Sequence, residues 1–341
     1  MKINRKILLI RGFSKTSVFG KAALNLTEKP TFKPVFQKLF PKLTEFWKRL
    51  IIIAIIFALL IPLIIYLARA PVLLVTEQSF VNLYGHDRLK KEINRASFSL
   101  FRQVKIVEVA NDAGDDIVQF AVSDISVKPF CVLFPRRFTR SAYLYGAQNP
   151  DIRIIMLEGR YPGVSSVNSG RENFYIFNTD IEYDFYNTGL AAAIFADNMN
   201  GNIAVFIEPE QYLIYGSIAR EAFLKGVNNQ GGKPETYFYT GFSDLPETVE
   251  ISCVVIAGAG LEFLDKKQGI PVILFTWLDP SLVPDDVVLI VDDSPAAQVK
   301  KAATFSAGSI QSKFYIVNRS KIEGKVLQKI KKIGKNTEIS P

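Results

Sequence analysis

The segment YDFYNTGLAAAIFADNMNGNIAVFIEPEQYLIYGSIAREAFLKGVNNQGGKP, residues 183–234, decides the fold. Phe185, Gly189, Ala192, Ala193 and Ala196 recur at helical spacing and predict a helix whose small residues let a neighbour pack closely. Gly201 ends it. Ile203–Ile207 is then an unbroken apolar run of strand length. Tyr215, Ile218, Ala219, Ala222, Phe223 and Gly226 mark a second helix. A continuous apolar strand between amphipathic helices is the unit of a parallel sheet covered on both faces.

The same rhythm runs outward in both directions. Upstream, strands are expected at Val72–Thr76, Val104–Val109, Phe130–Phe134, Ile152–Leu157 and Phe174–Phe177. Helical stripes lie at Leu89, Ile93, Ala96 and Leu100, and from Thr139 toward Gln148. Downstream, strands are expected at Thr236–Tyr239, Ile251–Ala257, Val272–Phe275, Val287–Val291 and Phe314–Val317. Helical stretches lie around Leu261–Gln268 and Pro295–Phe305, and Ile322, Val326, Ile330 and Ile333 mark a last, amphipathic helix. The Gly- and Ser-rich stretch Gly159–Asn173 breaks the alternation. Residues 71–341 exceed what one compact core usually holds, so two α/β lobes are expected. No long Pro- or Ser-rich linker separates them, which predicts lobes that exchange short segments.

In front of this body lies a different kind of sequence. Leu50–Ala68 is 19 residues without a charge. As a helix it covers roughly 28 Å, close to the hydrocarbon thickness of a bilayer. Trp47, Lys48 and Arg49 precede it and Arg69 follows, as suits a membrane interface. A core helix is the alternative, but one apolar on every face is unusual. Residues 1–49 carry 12 Lys/Arg against 2 Asp/Glu, whereas 50–341 carry 29 against 31. The net charge of +8 is therefore a basic arm on a nearly neutral body. Such an arm keeps the N-terminus cytoplasmic and places the body outside. Pro71 after Ala68-Arg69-Ala70, and an arm of 49 residues, argue against a cleaved signal peptide. The expected location is a single-pass inner (cytoplasmic) membrane protein with its body periplasmic or extracellular. The arm is read as a topology signal lying on anionic lipid, not as a nucleic-acid binder.

The composition also limits chemistry. His86 is the single histidine, which excludes a multi-His metal site. Cys131 and Cys253 each sit in an apolar run and read as buried thiols, although an outside domain permits a disulfide. No nucleophile elbow, P-loop or Cys-x-x-Cys appears, and no cofactor or metal is expected.

In open α/β sheets the ligand crevice lies beyond the carboxyl ends of the strands. Those ends supply Glu77, Ser79 and Phe80, then Arg136 with Arg137, then Glu158 with Arg160. The Ile203–Ile207 strand leads to Glu208, Glu210 and Tyr212. Later ends give Gly258 and Gly260, Trp277 and Asp279, and Asp292 with Asp293. The candidate ligand-binding set is Glu77, Ser79, Phe80, Arg136, Glu158, Glu208, Tyr212, Gly258, Trp277 and Asp279. Aromatic faces sandwich rings, carboxylates accept from hydroxyls, and glycine admits backbone close to a ligand. Each residue taken singly also reads as a solvated loop residue. A Glu208–Glu210 acid–base pair is disfavoured, because Pro209 argues for a turn.

The 183–234 segment, with Phe185…Gly189, Gly201-Asn202-Ile203 and Phe223…Gly226-Val227, resembles the type 1 periplasmic binding proteins. It is most similar to their basic membrane lipoprotein (purine nucleoside receptor) branch. The opening VLLVTEQSFVN, Val72–Asn82, looks like that family's first strand and the loop after it. The resemblance covers roughly residues 71–319. It implies two doubly wound parallel-sheet lobes, the first about 71–178 plus 283–312 and the second about 183–278 plus the C-terminal helix. It implies a non-enzymatic solute-binding protein that captures a nucleoside- or sugar-like ligand between the lobes for a transporter or sensor. The alternative is a binding fold without ligand, acting as an envelope interaction module. Two departures bear on this. A spanning helix stands where the family's lipoproteins carry a lipidated cysteine. Glu77-Gln78-Ser79-Phe80 replaces the acidic, Gly-rich first loop.

Overall fold

The computed structural model describes residues 45–159, 172–199, 201–231, 234–266, 269–275, 282–304, 310–333 and 337–339. The chain divides into two compact units, residues 1–62 and 63–341. Helix α1 (Glu45–Ala68) contains the apolar run, and Trp47–Ala68 is long and apolar enough to cross a membrane, with none of it buried in protein. Pro62 lies inside it. Residues 1–44 of the basic arm lie outside the described residues.

The body begins with β1 (Val72–Glu77), whose residues Val72–Val75 are completely buried. A strand apolar on both faces must be covered on both faces, and each such side chain contributes about 1.5–3 kcal/mol by leaving water. Around it form β2 (Val104–Val109), β3 (Cys131–Pro135), β4 (Arg153–Gly159) and β5 (Phe174–Asn178). All four neighbouring pairs are parallel, in the order β2-β1-β3-β4-β5. Val72 and Leu74 pack on one side with α2 (Gln78–Tyr84) and α3 (His86–Leu100). Leu73 and Val75 pack on the other with α4 (Asp115–Ser123) and α5 (Thr139–Gln148). Helix α2 occupies the segment read as a loop from sequence. Phe80, Val81 and Tyr84 fall on its inner face and draw it into the core.

The second sheet comprises β6 (Asn202–Ile207), β7 (Thr236–Tyr239), β8 (Ile251–Ala257), β9 (Val272–Phe275), β10 (Val287–Asp292), β11 (Lys313–Ile316) and β12 (Thr337–Ile339). Its order is β12-β11-β10-β9-β8-β6-β7, with β10 and β11 the one antiparallel pair. Helices α6 (Ile181–Met199) and α7 (Pro209–Asn229) cover one face. Their axes are held close by glycine. A Cβ on Gly189 would lie 2.2 Å from the Phe223 carbonyl oxygen, and one on Gly226 would lie 2.1 Å from that of Tyr186. The helix α8 (Phe263–Lys266) lies within the stretch expected there, whose last two residues, 267 and 268, lie outside the described residues. Helix α10 (Gly324–Ile330) sets Val326 and Ile330 into the same core as α6.

One boundary is corrected. Residues 283–312 do not belong wholly to the first lobe, because β10 pairs with β9 and β11 in the second sheet. It is buried along its whole length and needs a neighbour on each edge. Only then does the chain return: α9 (Pro295–Ala303) packs on α3 and on β1, β3 and β4 of the first lobe. Ser294 caps α9 by accepting from Ala297 N at 3.3 Å, and Pro295 occupies its first turn.

The chain therefore passes between lobes three times, after β5, after β10 and before β11. The first and third passages are joined. Thr179 bridges Ile310, Asp180 N donates to Ile310 O at 2.9 Å, and Ile310 N donates to Asn178 O at 2.8 Å.

Candidate functional site

Both sheets have the same local order, in which the first strand lies between the second and the third. Crossovers leave in opposite directions from that first strand, so a crevice opens beyond its carboxyl end. In the first lobe this switch point lies between β1 and β3, and in the second between β6 and β8.

At the first switch point the strand ends form one polar network. Glu77, ending β1, pairs with Arg137 Nη1 at 2.5 Å. Oε1 is the oxygen that makes this ion pair, and Oε2 accepts from Ser79 Oγ at 3.2 Å. Arg137 also donates to the Asn111 carbonyl oxygen, and Asn111 Oδ1 accepts from Ser79 N at 2.8 Å. Asn111, just after β2, was not singled out in sequence, because a polar residue in Ala110-Asn111-Asp112 looks like any turn. Arg136 reaches across to the second lobe, where its Nη2 lies 3.5 Å from Glu210 Oε1 at the start of α7. Both side chains are well exposed, at 39% and 63%, so this contact marks where the lobes meet and adds little stability.

The other expected residues separate into groups. Phe80 is corrected to a core residue: it is 6% exposed and stacks on Tyr84 with ring centres 5.3 Å apart. Glu208 is the N-cap residue of α7, and Tyr212 lies half-buried in that helix against the second lobe's core. Gly258 follows β8 with φ +107° and bridges back to Ile207. Gly260 has φ +81°, and a Cβ there would meet Phe206 at 2.5 Å. Chain reversal over an aromatic ring thus accounts for the Gly-Ala-Gly turn. Glu158 lies in β4. Trp277 and Asp279 lie outside the described residues, as does Arg160.

Behind the cleft, the hinge holds a buried polar cluster that the sequence reading did not assemble. Asp292, with its side chain fully buried, accepts from Arg88 Nη2 at 2.9 Å, Tyr84 Oη at 3.1 Å and Ser294 N at 3.2 Å. The Arg88 guanidinium lies 4.6 Å from the Tyr84 ring centre and 4.5 Å from that of Tyr315. A residue of α3 is thereby clamped between its own lobe and strands β10 and β11 of the other. Burial is the largest influence on the Arg88 pKa and lowers it, but Asp292, Tyr84 and Tyr315 together outweigh it and the net direction is upward. Burial and the Asp292 charge together push Tyr84 well above its ordinary value. Next to this, Glu92 holds Lys313 Nζ at 2.8 Å and Arg95 Nη1 at 2.9 Å. Asp184, 1% exposed at the start of α6, accepts from Ser312 N at 3.0 Å and Ser312 Oγ at 2.5 Å. Its carboxyl is pushed well above the usual carboxylate range, chiefly by burial, with the Ser312 hydrogen bonds opposing. A signal for the clamp is present in the sequence: Arg88, Glu92 and Arg95 form a charged row at i, i+4 and i+7 beside the apolar stripe of α3.

Cys131 and Cys253 are free and buried in the cores of different lobes. Burial raises both thiols, Cys131 to about 12.

No family model matches the chain, and no curated protein matches it. Solved structures do resemble it. A transcriptional activator of the comK gene from Bacillus halodurans aligns with a TM-score of 0.50 and 15% identity, over 77% of this chain and 95% of that one. An arabinose binding protein from Geobacillus stearothermophilus aligns with a TM-score of 0.48 and 14% identity, over 74% of this chain and 98% of that one. A periplasmic solute binding protein of an ABC transporter from Actinobacillus succinogenes, with bound D-allose, aligns at 0.44 and 13%, over 80% and 96%. At these identities the likeness concerns the fold alone, and the first of the three carries it. The neighbours are of the type 1 periplasmic-binding-protein-like class, in keeping with two parallel-sheet lobes and a chain that passes three times between them.

Proposed function

We propose that this chain is a membrane-anchored extracytoplasmic binding protein that holds a small, polar, uncharged ligand between its lobes. The observation that carries this is the convergence of polar groups from both switch points, marked by Arg136 of the first lobe meeting Glu210 of the second. Among the described residues there, Arg137 pairs with Glu77 and Arg136 with Glu210, and Glu208 adds one further carboxylate at the start of α7. A crevice whose cations are already paired with carboxylates favours a neutral ligand rich in hydroxyls, a sugar or nucleoside, over an anion. Glu77 Oε2, which accepts from Ser79 Oγ at 3.2 Å, has further lone-pair capacity for such a hydroxyl. The arabinose- and allose-binding neighbours share this fold and suit the same ligand class. Membership of the nucleoside-receptor branch, the cytoplasmic arm, and delivery to a transporter or sensor belong to the same proposal. So do contacts from Trp277 and Asp279.

A second reading has its own support. The lobes are tied together by Arg136–Glu210, Arg88–Asp292 and Lys313–Glu92, as expected of a module whose cleft is closed by salt links and serves an envelope partner. Neither reading assigns chemistry to Glu208 and Glu210. The first occupies the N-cap position of α7 without a side-chain capping bond, and the second pairs with Arg136.

A thermal-shift screen of the full chain in detergent, against sugars, nucleosides, amino acids and polyamines, separates the two. A ligand at a hundred times its dissociation constant stabilises by about 2.7 kcal/mol. The binding reading expects one class to do so, and expects Glu77→Gln and Trp277→Ala to abolish the shift. A well-folded sample that responds to none of them supports the interaction module instead.

A further inference from the structure

A second cavity lies away from the cleft, between α3 and α9 where they meet the hinge. It encloses about 520 Å³ and is lined by Arg95 and Phe98 of α3, Gln298, Lys300 and Lys301 of α9, and Lys313 of β11, among others. This volume is in the range of small-molecule sites.

Three observations give the cavity a chemical preference. The first is charge. Its lining carries four cations, Arg95, Lys300, Lys301 and Lys313, against Glu92 and Asp292. Asp292 is already neutralised by Arg88, and Glu92 is shared between Arg95 and Lys313. The balance is positive, and Glu92 fixes two of the cations in place. The second is a buried acceptor. Gln298 is 2% exposed, and its Nε2 donates to the Asp293 carbonyl oxygen at 2.7 Å. Its Oε1 has no hydrogen-bond partner among the described residues. Exchanging the two amide atoms would set two oxygens against each other, so the orientation is fixed and Oε1 needs a donor from elsewhere. The third is Phe98. Its ring is 87% exposed on the rim, and a bare aromatic face beside cations is available to stack on a ring.

We propose that this groove is a second ligand site that takes a small anion bearing its own hydrogen-bond donor, such as a phosphate monoester with a free hydroxyl. The cations meet the phosphate, and the hydroxyl donates to Gln298 Oε1. The walls belong to the first lobe, while Gln311, Ser312 and Lys313 belong to the passage into the second, so the occupant touches the hinge itself. Phe98 is one turn before Phe101, whose ring lies 5.8 Å from that of Tyr66 near the end of α1. The same phosphate chemistry is therefore offered by a soluble metabolite or by an anionic lipid headgroup.

The test uses the full chain. Inorganic phosphate, glucose 6-phosphate and citrate are titrated calorimetrically into protein in neutral detergent. Melting temperatures are compared in phosphatidylcholine nanodiscs with and without phosphatidylglycerol. The expected result is saturable binding of glucose 6-phosphate. It weakens by about tenfold or more in Lys300→Glu/Lys301→Glu, two exposed helix positions, and is unchanged in Arg136→Gln. Stabilisation by phosphatidylglycerol alone, lost in the same double variant, also supports the site and assigns the lipid as its source. Binding that survives the double variant, binding lost only in Arg136→Gln, or no saturable response to any of these probes overturns the proposal. Failure of the sugar screen leaves this result untouched, because the two sites share none of the altered residues.

Discussion

Removing Arg88 is the sharpest test of the hinge. Arg88→Met keeps the aliphatic stem of the side chain but removes the guanidinium that lies over Tyr84 and Tyr315, and with it the only cation paired with Asp292 in the described residues. Asp292 keeps two donors, Tyr84 Oη at 3.1 Å and Ser294 N at 3.2 Å, and has no route to solvent, since its side chain is fully buried. Breaking a buried ion pair on one side costs about 3–5 kcal/mol, most of it the uncompensated charge. For a body of this size roughly 2 °C of melting temperature corresponds to 1 kcal/mol, so the expected loss is about 6–10 °C. Calorimetry of the full chain in detergent at neutral pH measures it. The control is Arg88→Met/Asp292→Asn, which removes both charges and keeps an acceptor for Tyr84 and Ser294. It should be about 2 kcal/mol more stable than the sum of the two single changes predicts. Additivity within about 0.5 kcal/mol, or a loss below about 1 kcal/mol in Arg88→Met, would refute the reasoning and return the clamp to the status of an ordinary surface pair.

Gly226→Ala forces a methyl against the Tyr186 carbonyl oxygen at 2.1 Å and Leu190 N at 2.9 Å, both backbone atoms that cannot swing aside. A loss of about 1–3 kcal/mol in a urea titration is expected, and an unchanged midpoint contradicts the close approach of α6 and α7. Asp184 is raised mainly by burial, so the folded chain holds its proton to higher pH than the unfolded chain does. The stability linked to it is complete below the unfolded carboxylate value and falls as pH rises through the raised folded value. Asp184→Asn should flatten that alkaline-going decline in urea midpoints taken from about pH 4.5 to 8. Cys131 and Cys253, both buried with raised thiols, should resist an aromatic disulfide reagent in the native protein and react fully in denaturant. Rapid native labelling of either would contradict its burial.

Much of the architecture was legible in the sequence because β1, β8 and β10 are apolar on both faces, and only a sheet covered on both sides accepts such strands. What escaped was what depends on partners far along the chain. Helix α2 is short, and besides β1 and α3 its inner face finds a partner more than two hundred positions later, where Tyr84 Oη donates to Asp292. The lobe boundary near 283 was misplaced because nothing local tells which sheet a buried strand joins. The cleft was read from strand ends, and that rule found Glu77, Arg136, Glu208 and Gly258 at or near the switch points. It also collected Phe80, since a residue three positions past a strand end is indistinguishable in sequence from one folded back into the core. Asp184, Arg88 and Asp292 carry the hinge, yet each sits in a stretch whose pattern announces only a helix or a strand end.

The route of the chain also sets a timetable for its biogenesis. The five strands of the first lobe are complete by Asn178, but the face bearing Val72 and Leu74 is closed by Ala296, Val299, Ala302 and Ala303. A ribosome must therefore deliver more than a hundred further residues, including most of the second lobe, before the first can finish. Through that interval a half-covered apolar sheet waits in the nascent chain, open to holdases and to misassembly. Truncations that stop before Pro295 should leave an incomplete first lobe instead of a smaller working one, and the body should be handled in expression as a single cooperative object.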